Sequence, residues 1–108
     1  MRLLLLTARP DLAVNRRFAA AAAALRLELA TVDAATLSAL MESSSAAVIG
    51  LEGPLPRPDA ALARVGNWRP ESILAVLEAI VAQGVATSNP PAAIRTGRDH
   101  WATIAALA

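Results

Sequence analysis

The sequence predicts an open α/β domain: a mostly parallel sheet with helices on both faces. Three observations lead there. Arg2–Thr7 reads RLLLLT, a continuous apolar run closed by a polar residue, the pattern of a strand buried on both faces. Ile73, Leu74, Val76, Leu77, Ile80 and Val81 recur at spacings of three and four, which gives a helix one apolar face. Segments of these two kinds alternate along the chain, the order that builds a parallel sheet.

The elements follow in turn. After the strand 2–7, Pro10 and Asp11 open a helix running to about Leu25, since proline fits the first turn and an acid suits the positive end of the helix dipole. The alanines of that helix let it lie close to the sheet. Leu27–Val32 is the second strand, and Asp33 caps a short helix from Ala34 to about Met41. Glu42 and Ser43-Ser44-Ser45 form a loop, and Ala46–Leu51 is an extended piece. Gly53-Pro54-Leu55-Pro56-Arg57-Pro58 then breaks the chain, because prolines at this density forbid regular helix or a central strand.

Asp59–Val65, DAALARV, is the next strand and leads into Gly66-Asn67-Trp68. The long helix from Glu71 to Gln83 ends at Gly84, a left-handed cap. Val85-Ala86-Thr87 is a short strand, Asn89-Pro90-Pro91 a turn, and Ala92–Thr96 a single helical turn closed by Gly97. Asp99 caps a last amphipathic helix carrying Trp101, Ile104 and Leu107.

Composition narrows the function. At 108 residues there is room for one core, and 56% hydrophobic residues with a mean hydropathy of +0.46 exclude a disordered chain. No uninterrupted apolar stretch is long enough to span a bilayer. The pI near 9.0 reflects a formal charge of only +1 on a chain without lysine, cysteine or tyrosine, so it marks a flat titration curve and not a basic patch. The arginines alternate with acids and the aromatics are few, which argues against nucleic acid. Without cysteine there is no disulfide, thiolate nucleophile or zinc-thiolate site, and a single histidine leaves no basis for a protein-only metal centre. Asn15-Arg16-Arg17-Phe18 before an alanine run superficially resembles a twin-arginine export signal, but Arg26 and Glu28 close the run and no Ala-x-Ala cleavage pattern with polar flanks follows. A cytoplasmic location is the expectation.

Open α/β sheets bind ligands beyond the carboxyl ends of their strands, here Thr7–Asp11, Asp33, Gly66–Arg69 and Thr87–Asn89. TARPDLA contains no glycine, so the first turn is neither a dinucleotide fingerprint nor a P-loop. Thr7-Ala8-Arg9 and Gly50-Leu51-Glu52 fit a phosphoacceptor receiver poorly. No residue pairs with the one histidine to make a nucleophilic constellation, and no catalytic residue is assigned. Arg64 interrupts an apolar strand just before Gly66-Asn67. It either presents its fork to a carboxylate or phosphate, or pairs with a surface acid such as Asp59 or Glu71.

The succession Asp59–Gly66, the helix Glu71–Gln83, Gly84, Val85-Ala86-Thr87, Ser88-Asn89-Pro90-Pro91, Ala92-Ala93-Ile94 and Arg98-Asp99-His100 resembles the amino-terminal, pre-ATP-grasp domain of ATP-grasp carboxylate–amine ligases. The likeness is strongest to RimK-like glutamate ligases and glutathione synthetases. Asn15-Arg16-Arg17 and Asp33 are similar to the RimK-like pattern as well, although the glycine usual between the first helix and the second strand is absent. The resemblance implies residues 1–97 as the pre-ATP-grasp domain and 98–108 as the start of a helix linking it to an ATP-grasp domain.

It further implies a parent enzyme that uses ATP and magnesium to phosphorylate a carboxylate and lets an amine form an amide. Those cofactors would be held in the partner domain and none in this chain, which alone would be inactive. Arg64, with Asn67 beside it, is carried over as a contact to the carboxylate of an amino-acid or peptide substrate. His100 stands where the family has a nucleotide-facing lysine, and a neutral imidazole is a weaker phosphate partner than an ammonium. The competing expectation is a stand-alone α/β small-ligand or interaction module without catalysis. That module packs its last helix on its own core; the ligase domain leaves Trp101, Ile104 and Leu107 exposed for the partner domain, or for a homodimer.

Overall fold

Four parallel strands and a three-stranded antiparallel sheet are joined by one buried helix. The computed structural model describes residues 1–65 and 70–107, with His100 described by its backbone alone. The parallel sheet has the order β2 (Glu28–Asp33), β1 (Arg2–Thr7), β6 (Ala60–Arg64), β7 (Ala86–Thr87). The antiparallel sheet has the order β3 (Ser38–Met41), β4 (Ala46–Gly50), β5 (Gly53–Pro54). The helices are α1 (Ala13–Ala24), α2 (Pro70–Ala82), α3 (Pro91–Arg98) and α4 (His100–Leu107).

The all-leucine run of β1 is explained by its central place. Leu4, Leu5, Leu6 and Thr7 are all buried, because successive side chains enter opposite faces and both faces are covered. Leu4 and Leu6 share a core with Ile73, Leu74, Val76, Leu77, Ala79 and Ile80 of α2. Leu5 and Thr7 point to the other face. The same alternation puts Ala61 of β6 in the α2 core and aims Leu62 and Arg64 at the opposite side. Arg64 there meets Phe18 of α1, which establishes helices on both faces.

The same core takes in Val48 of β4, with Leu37, Ala46 and Leu55 packed against it, so α2 binds the two sheets to each other. Its carboxyl end is tied down by the proline-rich segment. Arg57 donates from Nε to the Gln83 carbonyl at 2.9 Å and from Nη2 to the Gly84 carbonyl at 3.3 Å, placing a cation where the helix dipole is negative. Gly84 has φ +81°, the left-handed cap expected of it. Arg95 of α3 reaches back to α2, 2.5 Å from Glu78 and 3.6 Å from Glu71. The hydrogen bond to Glu78 leads the causes that hold the Arg95 guanidinium above its ordinary range.

Five elements depart from the sequence expectations. Helix α1 begins at Ala13, not at Pro10. Residues 9–12 form a turn closed by the Leu12 N–H donating to the Arg9 carbonyl at 3.2 Å, so Pro10 and Asp11 lie ahead of the helix. Asp33 does cap, its Oδ1 accepting the Ala35 N–H at 2.9 Å, but only three residues of 3-10 helix follow. Ser38–Met41 is strand β3 instead of helix. A short apolar run carries no period long enough to separate the two, and the ladder to β4 satisfies its backbone. The serine loop is therefore the turn of a hairpin, with Glu42 and Ser45 bonded across it.

Gly53-Pro54 forms β5 despite its proline, as edge strands allow, and the Leu55 N–H continues the pairing to the Val48 carbonyl at 2.7 Å. Helix α3 runs through Gly97 to Arg98, so the break falls two residues later, at Asp99. There the expectation holds: Asp99 Oδ1 accepts the Ala102 N–H at 3.1 Å and starts α4.

The carboxyl end of α1 shows what the absent glycine costs. Arg26 has φ +57°, with its N–H bonded to the Ala23 carbonyl and the Leu27 N–H to the Ala22 carbonyl, a Schellman closure normally given to glycine. Arg26 is exposed and, among the described residues, its side chain makes no hydrogen bond or ion pair. Arg26→Gly is expected to stabilise the domain by about 0.5–1 kcal/mol, the relief of the left-handed strain exceeding the greater freedom of the unfolded chain. Thermal unfolding should move up by roughly 2–8 °C; an unchanged or lower midpoint contradicts the strain.

Candidate functional site at the carboxyl edge of the parallel sheet

Parallel strands in register bring their polar ends to one edge. Thr7 is the Cα partner of Asp33 on β2 and of Arg64 on β6, so three polar residues from three strands stand side by side at the carboxyl end. They do so because the three strands run parallel and in register, so the last residue of β1 stands level with the last residues of β2 and β6.

Arg64 is exposed, and its guanidinium lies over the Phe18 ring, 5.6 Å from the centroid. The flat face is thus occupied by an aromatic ring while the donor edges remain available. The two acids that could have paired with it are engaged elsewhere. Asp59, at the other end of the strand, accepts the Arg2 backbone N–H at 2.7 Å, and Glu71 faces Arg95. Among the described residues no carboxylate lies within ion-pairing distance of Arg64.

Beside it the β1–α1 turn is held from within. Thr7 and Asn15 are the buried polar residues among those described, each 3% exposed, and both act on the peptide groups of Arg9. Thr7 Oγ1 accepts the Arg9 N–H at 3.1 Å, and Asn15 Nδ2 donates to the Arg9 carbonyl at 2.7 Å. Asn15 Oδ1 is buried without a hydrogen-bond partner among the described residues. The Arg9 side chain projects outward, with Asp11 Oδ1 3.5 Å from its Nε. Asp33 is occupied by its cap, and Thr36 Oγ1 adds a bond to the Asp33 carbonyl at 2.7 Å.

Of the residues singled out from the sequence, Arg64 thus stands at this edge. Asn67 lies outside the described residues. His100 opens α4, and its side chain is likewise outside them. Arg9, Thr7 and Asn15 did not stand out as a unit in the sequence. The available signal was a threonine closing a buried strand and an asparagine three residues before Phe18, on the helix face turned to the sheet. Among the described residues no three His, Cys, Asp or Glu side chains gather as a metal site would require, and no helix is long and apolar enough to cross a membrane.

Helix α4 packs on α3, with Thr103 Oγ1 donating to the Thr96 carbonyl at 2.6 Å. Trp101, Ile104 and Leu107 are nevertheless 82%, 60% and 83% exposed. They form an apolar surface next to the end of the parallel domain.

A search of the curated proteins gives no match. A family model described as the RimK PreATP-grasp domain matches residues 1–94, which spans both sheets, α1, α2 and the first turn of α3. That match covers the four-stranded parallel sheet and the three-stranded antiparallel sheet, and the chain belongs to the RimK pre-ATP-grasp domain family.

Proposed function

We propose that this domain forms the substrate side of an ATP-dependent carboxylate–amine ligase and is inactive by itself. The family match over residues 1–94 carries the reading. The exposed fork of Arg64 at the carboxyl edge supports it, as a contact for the carboxylate of an amino-acid or peptide substrate, with Asn67 three residues on in sequence. ATP and magnesium belong to an ATP-grasp domain of the same polypeptide, reached through the α3–α4 connection, with His100 on the nucleotide side. A cytoplasmic enzyme is the setting that goes with ATP as co-substrate.

The chemistry has two steps. A carboxylate oxygen attacks the γ-phosphorus of ATP, giving an acyl phosphate and ADP. The amine nitrogen then attacks the acyl carbon, phosphate departs, and the nitrogen loses a proton to leave an amide. What this chain does toward those steps is to bind and orient: a guanidinium gives two parallel donors to one carboxylate, which fixes the plane of the group as well as its position.

The exposed apolar side of α4 favours this reading over a stand-alone ligand or interaction module, which would pack its last helix on its own core. Homodimerisation of the isolated domain through the same side is the competing use of that surface. The test is made on the polypeptide encoded by the whole reading frame, supplied with ATP, magnesium and a panel of amino acids and short peptides. Carboxylate-dependent ADP release, and a hydroxamate when hydroxylamine replaces the amine, are expected. ATP turnover that ignores every carboxylate and yields no hydroxamate overturns the proposal.

A further inference from the structure

We propose that Arg9 is a second anion contact at the carboxyl edge, held in place by Thr7 and Asn15, so that this edge selects ligands carrying two acidic groups over those carrying one. The inference rests on the substrate-side reading of Arg64 and adds a residue and a selectivity to it.

The buried polar side chains gather at one peptide unit. A polar side chain sealed from water costs stability unless it is bonded, so the few that a small apolar core retains need a use. Here both Thr7 and Asn15 are bonded to the same peptide unit, one to the N–H and one to the carbonyl of Arg9. Neither touches the Arg9 side chain. Their effect is to fix the backbone from which that side chain leaves, and Asn15 does so while its Oδ1 goes without a partner among the described residues. Such fixing lowers the ordering cost of binding through Arg9.

Asn15 and Phe18 are three residues apart on one face of α1, about one helical turn or 5 Å along the axis. Asn15 holds the Arg9 carbonyl, and Phe18 carries the Arg64 guanidinium. Both arginines are therefore tied to one side of α1, the Arg9 main chain through Asn15 and the Arg64 guanidinium through Phe18. Two arginines tied to one side of a helix can offer a fork to each of two carboxylates on one short molecule.

The ion pair Arg9 has is weak. Its Nε is 3.5 Å from Asp11 Oδ1, and both side chains are mostly exposed, 62% and 74%. An exposed pair of this kind is worth about 0–1 kcal/mol, so an incoming carboxylate displaces it readily. Asp11 is a neighbouring competitor for the fork.

The experiment uses the 108-residue chain labelled with ¹⁵N, titrated with glutarate as a diacid and acetate as a monoacid, following the arginine side-chain Nε–H signals. With glutarate the Arg9 and Arg64 signals should move on one common curve. Arg9→Gln should lower the preference for glutarate over acetate about 10-fold, Arg9→Lys should recover part of it, and Asp11→Asn should tighten glutarate about 2–3-fold. Asn15→Leu, chosen to free the Arg9 peptide, should reduce the same preference while the Arg64 signal still responds. If Arg64 responds and Arg9 does not, or if Arg9→Gln keeps the diacid preference, the inference falls and the substrate-side reading stands. If neither arginine responds to either acid, both fall.

Discussion

Replacing Arg64 with glutamine should raise the KM for the carboxylate substrate of the proposed ligase about 100-fold, with kcat changed less than about threefold, in the polypeptide encoded by the whole reading frame. A charge-assisted, bidentate hydrogen bond to a carboxylate contributes roughly 1.5–3 kcal/mol, and about 2.7 kcal/mol corresponds to the factor of 100. The effect falls on KM because the contact is to a group that the bound substrate carries before as well as during reaction, so it stabilises ground and transition states alike. Fold stability should scarcely move. Arg64 is exposed, and its removal gives up a cation–π contact at 5.6 Å worth about 0.5–1 kcal/mol. Arg64→Lys should lie between, since an ammonium restores the charge but not the fork. A glutamine variant with an unchanged KM for the acid removes Arg64 from the site.

This separation of binding from folding comes from the way the sheet is written in the sequence. The strands that could be recognised were those whose environment is uniform: RLLLLT is apolar on both sides because both faces of β1 are covered, and its partner register then follows from the α/β alternation. Helix α2 was equally plain, since its apolar residues form one wide face that meets both sheets. Residues 34–41 were not. AATLSALM has the same mixture of small and apolar residues in either state, and what decides for a strand is the partner Ala46–Gly50, a tertiary fact. Likewise the prolines of 54–58 announced a break but could not reveal that an edge position would still accept two residues of pairing.

The site was partly legible for a related reason. Arg64 stood out as a charge in an apolar strand, and register alone sets it beside Thr7 and Asp33. The hold on Arg9 was invisible, because it depends on Thr7 and Asn15 meeting one peptide group through the turn at residues 9–12, and nothing in their spacing specifies that turn. The charge on Glu71 shows the converse. It was a plausible partner for Arg64 by sequence, yet α3 brings Arg95 to it and leaves Arg64 to the aromatic face of Phe18.

Leu77→Ala should have the opposite profile, destabilising the fold by about 3 kcal/mol while leaving the substrate KM of the folded protein unaltered. Leu77 is fully buried at 0% exposure and belongs to the core that unites Leu4 and Leu6 of β1, Ala61 of β6 and Val48 of β4. Truncation loses the transfer free energy of the removed carbons and leaves a cavity that surrounding strands cannot close, because they are tied into two separate ladders; such changes cost roughly 2–5 kcal/mol. Single domains are stable by only about 5–15 kcal/mol, so the loss is a large share of the total. In urea the midpoint should fall by roughly 1–3 M at constant slope. Leu51→Ala, at a position 86% exposed in the turn between β4 and β5, is the matched control and should cost less than about 0.5 kcal/mol. Equal midpoints for the two variants would mean that α2 does not hold the sheets together. A raised KM in folded Leu77→Ala would instead show that the α2 core, on the far face of β6, governs the geometry of Arg64, since alternation sends Ala61 and Arg64 to opposite sides of one strand.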